Sequence, residues 1–227
     1  MLHIIQNDPQ VPPGNIQENL PFKPPVRHPY RGDSLPDLAV ISALIVLGGA
    51  MGANDDGKHP FLHELKSLIS RIVSARIPFL GICLGGQLMA TATGGRVISG
   101  RWKELGTMPV TLTFEGRRDR LFRGIPGSFS TFQWHHDSFD TAPGGVILAS
   151  SATCPHQSFR MGECAWGIQF HPEVTEEIIR DWCAWDESTA SRTRQLVAAF
   201  KDSEKEYRST ASCLLRNFLA AAGLEFS

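Results

Sequence analysis

The chain has 227 residues and a mass of 25.0 kDa, a length that allows one large domain or two small ones. Hydrophobic residues make up 42% and charged residues 20% of it, which is typical of a globular protein and argues against a disordered one. Lys and Arg number 22 and Asp and Glu 23, so the charge gives no reason to expect binding to nucleic acid or to an anionic membrane.

The N-terminus and the cysteines indicate a compartment. The start, MLHIIQNDPQ, lacks the charged first part, long apolar stretch and cleavage site of a signal peptide. The apolar stretch at residues 38–53 is too short and too rich in glycine to span a bilayer. The five cysteines are an odd number, which disfavours a disulfide framework, and no pair has the CxxC spacing of a zinc site. We therefore expect a cytoplasmic protein with reduced thiols, no metal and no cofactor.

Strands alternate with helices in the first half of the chain. After a short first strand, a proline-rich segment holds a short helix near residues 15–20. Apolar runs then predict buried strands at residues 43–47 and 78–82, and helical spacing predicts helices at residues 59–75 and 84–93. This order, with glycine-rich junctions, indicates an α/β fold with a parallel sheet.

The second half is predicted to contain short strands followed by helices. The strands fall at residues 107–114, 130–135, 146–150 and 165–170. The helices fall at residues 175–184, 189–201 and 209–222. We expect the strands to extend the sheet or to form a second layer, and residues 1–227 to form a single domain.

Cys83 lies between a buried strand and a helix, with Gly81 two residues before it and Gly85 two residues after it. This spacing is typical of a nucleophile elbow, a sharp turn in which the backbones crowd so closely that small residues are required. The turn would expose the sulfur at the carboxyl end of the strands, beside a helix N-terminus that favours a thiolate. The other four cysteines are expected to be small buried hydrophobes.

His171 and Glu173 follow the last predicted strand, with Pro172 between them. In extended backbone, side chains two residues apart point to the same side, so Glu173 can accept from one ring nitrogen while the other faces a thiol. That is the nucleophile, base and orienter logic of a catalytic triad. Taken alone, a histidine at a strand end beside a solvated glutamate is the more ordinary interpretation, but the cysteine elbow favours the triad.

The turn at Gly48 and Gly49 ends the first buried strand and should lie at the same sheet edge as Cys83. Glycines allow backbone N–H groups to turn inward, and with the N–H of Leu84 they could hold a developing oxyanion. An ordinary strand-ending turn is the alternative, and the glycines alone do not separate the two.

Together these motifs resemble the class I (triad) glutamine amidotransferases. GxCxGxQ around Cys83, the two-glycine turn and His-Pro-Glu at residues 171–173 occur in the family's order, and the resemblance covers residues 43–173 firmly. GGAMGANDD, GICLGGQLMA, QWHHD and WGIQFHPEVT are more narrowly similar to stand-alone proteins that resemble the glutaminase part of GMP synthase. The resemblance implies a flavodoxin-like fold of three layers, in which helices flank an open, mostly parallel sheet.

The resemblance also implies a reaction, the hydrolysis of the glutamine side-chain amide to glutamate and ammonia through a cysteine thioester. Cys83 would be the nucleophile, His171 the base and Glu173 its orienter. Backbone N–H groups of Gly49 and Leu84 would form the oxyanion hole. The residues expected to line the substrate pocket are Ala50, Gln87, Trp134 and His135. Other tryptophans are expected to pack in the interior, and Glu104 to serve the structure.

Two positions depart from the family's pattern. Ala50 stands where the family usually has proline, which we expect to loosen the oxyanion turn, and His136 stands where glycine is common. These departures keep open an alternative substrate, a γ-glutamyl peptide or another γ-glutamyl compound. Residues 174–227 contain no ATP-binding motif, so ammonia would pass to a synthetase partner in trans, or the protein would only hydrolyse. A non-catalytic binding module on the same fold is the remaining alternative.

Overall fold

The structure, a computed structural model, describes residues 1–224 and contains one large sheet, one small sheet and five α-helices within them. The strands are β1 (Leu2–Ile5), β2 (Val26–Arg27), β3 (Ala43–Val46), β4 (Phe79–Ile82), β5 (Arg96–Ile98), β6 (Glu104–Leu112), β7 (Ser128–His135), β8 (Ser138–Asp140), β9 (Val146–Ser150), β10 (Ser158–Met161) and β11 (Ala165–Ile168). The helices are α1 (Gly14–Glu18), α2 (Phe61–Ser74), α3 (Leu84–Ala92), α4 (Glu176–Trp185) and α5 (Thr193–Ala221).

The large sheet has nine strands in the order β2-β1-β3-β4-β11-β10-β9-β6-β7. The first five are parallel, and the other four extend the sheet through antiparallel pairs. The predicted α/β fold is therefore confirmed, and the strands of the second half extend the sheet. The sequence analysis missed β10 and also the pair β5 and β8, which form a separate antiparallel sheet.

The two faces of the sheet carry different helices, as the sequence of β3 illustrates. Successive strand residues point to opposite faces, and all four side chains of β3 are buried. Ala43 and Ile45 pack with the apolar side of α5, whereas Leu44 and Val46 pack with α2 and α3. Helices thus cover both faces, which is the three-layer arrangement that the family resemblance implies.

The last helix corrects the sequence analysis, which predicted separate helices at residues 189–201 and 209–222. The structure has one 29-residue helix, α5, with only a short 3₁₀ turn before it. The polar residues 202–208 suggested a break, but they contain neither glycine nor proline, and most are good helix formers. Glu204 and Arg208 add an i,i+4 ion pair of 2.8 Å there, and the neighbouring Tyr207 is buried.

Within the described residues, no helix is both long enough and apolar enough to cross a membrane.

A proline in the middle of α5 tests its continuity. Lys205 is exposed, so Lys205→Pro should cost about 3 kcal/mol of the free energy of unfolding, because proline removes a helical hydrogen bond and clashes with the preceding turn. Lys205→Ala, the matched control, should change it by less than about 0.5 kcal/mol. Urea denaturation measures both, and equal stabilities of the two variants would mean that the helix is interrupted here.

Candidate active site

Cys83 occupies the one residue between β4 and α3, and its backbone is strained. It has φ 49° and ψ −107°, a conformation that non-glycine residues rarely adopt. The flanking glycines make room for it. A Cβ on Gly81 would lie 2.4 Å from the carbonyl of Gly85, and one on Gly85 would lie 2.1 Å from the carbonyl oxygen of Val46. The glycine spacing in the sequence is therefore a steric requirement of this turn.

The structure brings His171 and Glu173 to the same edge of the sheet, just after β11. His171 Nδ1 lies 2.6 Å from Glu173 Oε1, and both side chains are buried. A Cβ on Gly48 would lie 3.3 Å from the His171 ring and 3.6 Å from Cys83 Cβ, so Gly48 is flanked by both residues. His171 Nε2 is buried without a hydrogen-bond partner among residues 1–224, and His171 and Cys83 line one cavity.

The charge state of His171 follows from its neighbours. Burial by itself lowers the pKa of the imidazole, but the charges of Glu173 and then of Cys83 outweigh burial and raise the pKa from 6.5 to about 10. The direction is that expected for a base between two anions. The imidazole therefore holds its proton at neutral pH, where it can give it to a departing nitrogen.

Gly49 and Leu84 meet at the predicted oxyanion turn. A Cβ on Gly49 would lie 2.9 Å from Leu84 Cδ2 and 2.6 Å from Met51 Sδ, so only glycine allows this approach. Leu84 is the first residue of α3, and a first-turn N–H has no partner within its own helix. The two backbones thus lie side by side next to Cys83.

Asp8 holds this turn, which the sequence analysis missed. Its Oδ2 accepts a hydrogen bond of 3.0 Å from the N–H of Ala50, and the preceding Asn7 donates to the carbonyl of Leu47 at 2.7 Å. A proline at position 50 would have no N–H to donate. The expectation that Ala50 loosens the turn is therefore wrong, because its extra donor ties the turn to a buried carboxylate.

The residues predicted to contact substrate share the cavity with Cys83 and His171. It has a volume of about 530 Å³, and Ala50, Gln87, Trp134 and His135 all line it.

Two of these side chains are largely engaged by the protein itself. Gln87 Nε2 donates to the carbonyl of Asp137 and to Gln169 Oε1, both at 3.2 Å, which leaves its Oε1 as the group that could accept from a ligand. The His135 ring lies 3.1 Å from Glu104 Oε2 and 3.0 Å from the Asp137 carbonyl. Only the backbone of His135 is therefore free to face a ligand, while Glu104 serves the structure as expected.

Gln169 and Tyr207 are two further residues of the site that the sequence analysis missed. Gln169 is fully buried, and its Nε2 donates to Cys83 Sγ at 3.4 Å. Its position two residues before His171 places both side chains on one side of an extended chain, a signal that could have found it. The hydroxyl of Tyr207 donates to the His171 carbonyl at 2.9 Å, and no local pattern reveals that contact because 36 residues separate the two.

The tryptophans behave differently from one another. Trp166 is fully buried in the core, as expected, and Trp182 is buried with its ring 5.0 Å from that of His171. Trp185 was also expected to pack inside, but it is 49% exposed and lies at the wall of the cavity. Among residues 1–224, no three His, Cys, Asp or Glu side chains are grouped so as to hold a metal ion.

Comparison with known proteins assigns the family. The model of the class-I glutamine amidotransferase family matches residues 27–180, so the chain belongs to the class I glutamine amidotransferases. It is 33% identical over 154 residues to the glutamine amidotransferase-like protein YfeJ of Salmonella typhimurium, an alignment that covers 66% of this chain and 64% of that protein.

Two further similarities narrow the position within the family. A subunit of the glutamine-hydrolysing GMP synthase of Methanocaldococcus jannaschii is 34% identical over 131 residues, which cover 55% of this chain and 68% of that one. The crystal structure of a glutamine amidotransferase from Thermotoga maritima superposes with a TM-score of 0.86 at 29% identity, covering 96% of this chain and 97% of the other. The agreement over nearly the whole chain confirms the fold class.

Replacing Asp8 tests its hold on the oxyanion turn. Asp8→Ala leaves the Ala50 N–H without its acceptor, and we expect kcat for amide hydrolysis to fall about tenfold with a smaller change in KM, because a misplaced oxyanion donor weakens transition-state binding. Asp8→Asn keeps an acceptor oxygen and should lose less. In an Ala50→Pro background, which has no N–H at residue 50, Asp8→Ala should add little. An unchanged kcat in the single variant would contradict this role.

Replacing Glu173 tests the origin of the raised pKa of His171. In the wild type, kcat/KM should remain high up to about pH 10, where His171 loses its proton. Glu173→Gln removes one of the two negative charges that raise this pKa, so the decline should begin at a lower pH. Glu177→Gln, the same charge change at an exposed position of α4, should not move it. A basic limb that stays in place in Glu173→Gln would refute the assignment.

Proposed function

We propose that this protein hydrolyses the side-chain amide of glutamine to glutamate and ammonia, with Cys83 as nucleophile. The observation that carries the proposal is the strained turn at Cys83, which presents its sulfur to the same cavity as the unpartnered Nε2 of His171. Strain of this kind persists only where the surrounding structure holds it, and it supports a catalytic rather than a packing role for this cysteine. Membership of the family supports the same reaction class.

The proposed reaction has two stages. The Cys83 sulfur attacks the amide carbon of the substrate, and the N–H groups of Gly49 and Leu84 stabilise the negative oxygen that forms. His171 gives its proton to the departing nitrogen, the carbon–nitrogen bond breaks and a γ-glutamyl thioester remains. His171, held by Glu173, then takes a proton from water, which attacks the thioester and releases glutamate and the thiol.

The fate of ammonia is a further part of the proposal. One relative is named as one of the subunits of a GMP synthase, which supports the delivery of ammonia to a separate synthetase in trans, in the cytoplasm. A γ-glutamyl compound other than glutamine is a second candidate substrate. The observation that favours it is the volume of the cavity, about 530 Å³, since the chemistry at Cys83 needs only the γ-glutamyl amide.

Cys83→Ser tests the proposed nucleophile. The purified wild type should release glutamate from glutamine, and Cys83→Ser should lower kcat by at least about a thousandfold, because a serine hydroxyl is far less nucleophilic than a thiolate at neutral pH. Circular dichroism should show that the fold is retained.

The matched control is Cys213→Ser, which makes the same change at a partly exposed cysteine outside the cavity, and it should keep full activity. Reaction with an electrophilic glutamine analogue should label Cys83 alone. Activity that survives in Cys83→Ser would refute the nucleophile. A wild type that neither turns over nor reacts would instead favour a non-catalytic binding module.

A further inference from the structure

The cavity continues past His171 to the end of α4. Four of its wall residues lie in the stretch where α4 ends and the following turn begins, and we call this part the leaving-group lobe: Trp182, Trp185, Asp186 and Glu187. The residues expected to hold the glutamyl end come from other elements, α3 and the end of β7. The lobe has no role in the reaction as proposed for glutamine, whose leaving group is ammonia.

The position of His171 decides which end of a substrate faces this lobe. His171 must protonate the departing nitrogen, so that nitrogen lies next to its Nε2, which is buried and unpartnered among residues 1–224. The ring of Trp182 lies 5.0 Å from the ring of His171, nearly perpendicular to it. A substituent on the departing nitrogen would therefore extend along Trp182 into the leaving-group lobe.

The chemistry of the lobe favours a cation. The cavity wall contains the carboxylates of Asp137, Asp186 and Glu187 but no lysine or arginine. The Asp137 and Asp186 carboxylates already accept hydrogen bonds from neighbouring groups, whereas Glu187 is exposed and forms no ion pair within the described residues.

Trp185 adds an aromatic surface beside this carboxylate. Its side chain is 49% exposed, which is costly for a tryptophan unless the ring is used. An ammonium group attached to an alkyl chain is stabilised both by an aromatic face and by a nearby carboxylate. A neutral alkyl chain gains only the apolar contact, and an anionic chain would be repelled.

We propose that the leaving-group lobe binds the cationic tail of a γ-glutamyl diamine, so that the preferred substrates are γ-glutamyl amides whose departing amine carries a second, positively charged nitrogen. This inference rests on the proposed function and specifies its substrate class. The bond changes are those of glutamine hydrolysis. The Cys83 sulfur forms the thioester, the carbon–nitrogen bond breaks, His171 protonates the departing amine, and water then releases glutamate.

Three amides of similar length test the charge preference. They are the γ-glutamyl amides of diaminobutane, which is cationic, of pentylamine, which is neutral, and of aminobutyric acid, which is anionic. We expect kcat/KM for the cationic amide to exceed that for the neutral one about tenfold, with the anionic amide lowest. Glutamine and the Cys83→Ser variant are assayed alongside.

Variants of the lobe locate the preference. Glu187→Gln should reduce the ratio of kcat/KM between the cationic and neutral amides to about twofold. Trp185→Ala should also reduce this ratio, and Trp185→Phe, which retains a ring, should preserve more of it. Glu177→Gln, on the same helix but outside the cavity, is the matched control and should leave the ratio unchanged.

The outcomes separate this inference from the proposed function. If the amides are hydrolysed in a Cys83-dependent reaction but with equal kcat/KM, the inference is wrong and the function stands. If Glu187→Gln lowers kcat/KM equally for glutamine and for all the amides, the lobe binds the glutamyl ammonium group, and the inference is again wrong. If no γ-glutamyl compound is hydrolysed, the proposed function itself fails and the inference with it.

Discussion

The strained backbone of Cys83 is the constraint on which the site depends. A residue at φ 49° costs on the order of 1–3 kcal/mol unless its surroundings hold it there. Here β4 pairs with β3 on one side and β11 on the other, so the strand that leads into the turn lies fixed in the interior of the sheet. The carbonyl of Val46, at the end of β3, approaches Gly85 so closely that no side chain fits there. The nucleophile thus owes its position to the packing of the sheet.

The same three strands also assemble the rest of the site. β3 ends in the glycine turn, β4 ends at Cys83 and β11 ends just before His171. They are neighbours in the sheet although long stretches of sequence separate them, because parallel strands need crossover connections. Ligands bind at the carboxyl ends of such strands. The oxyanion donors, the thiol and the base therefore meet as a direct consequence of strand order.

The base is fixed from segments that are remote in the sequence. The His171 N–H donates to the carbonyl of Phe132 in β7 at 2.9 Å, and its carbonyl accepts from Tyr207 in α5. The carbonyl of Glu173 accepts from the N–H of Asn15 at 2.8 Å. A buried histidine and carboxylate are costly to desolvate, so these anchors hold a polar pair in a geometry that burial alone would not favour.

Sequence analysis predicted what depends on local spacing and missed what depends on tertiary contact. The glycines around Cys83 and the interval from His171 to Glu173 encode geometry within a few residues, so the elbow and the pair were predictable. Asp8 was not, because an acceptor 42 residues from its donor leaves no local pattern. The exposure of Trp185 follows from where α4 ends relative to the cavity, which hydrophobicity cannot reveal. The two sides of the cavity consequently differ in how firmly they are built: Glu104 ties β7 down through His135 and Ser151, whereas the leaving-group lobe lies on an exposed turn. A change in that turn would alter the choice of leaving group while the triad geometry, held by the sheet, stayed the same.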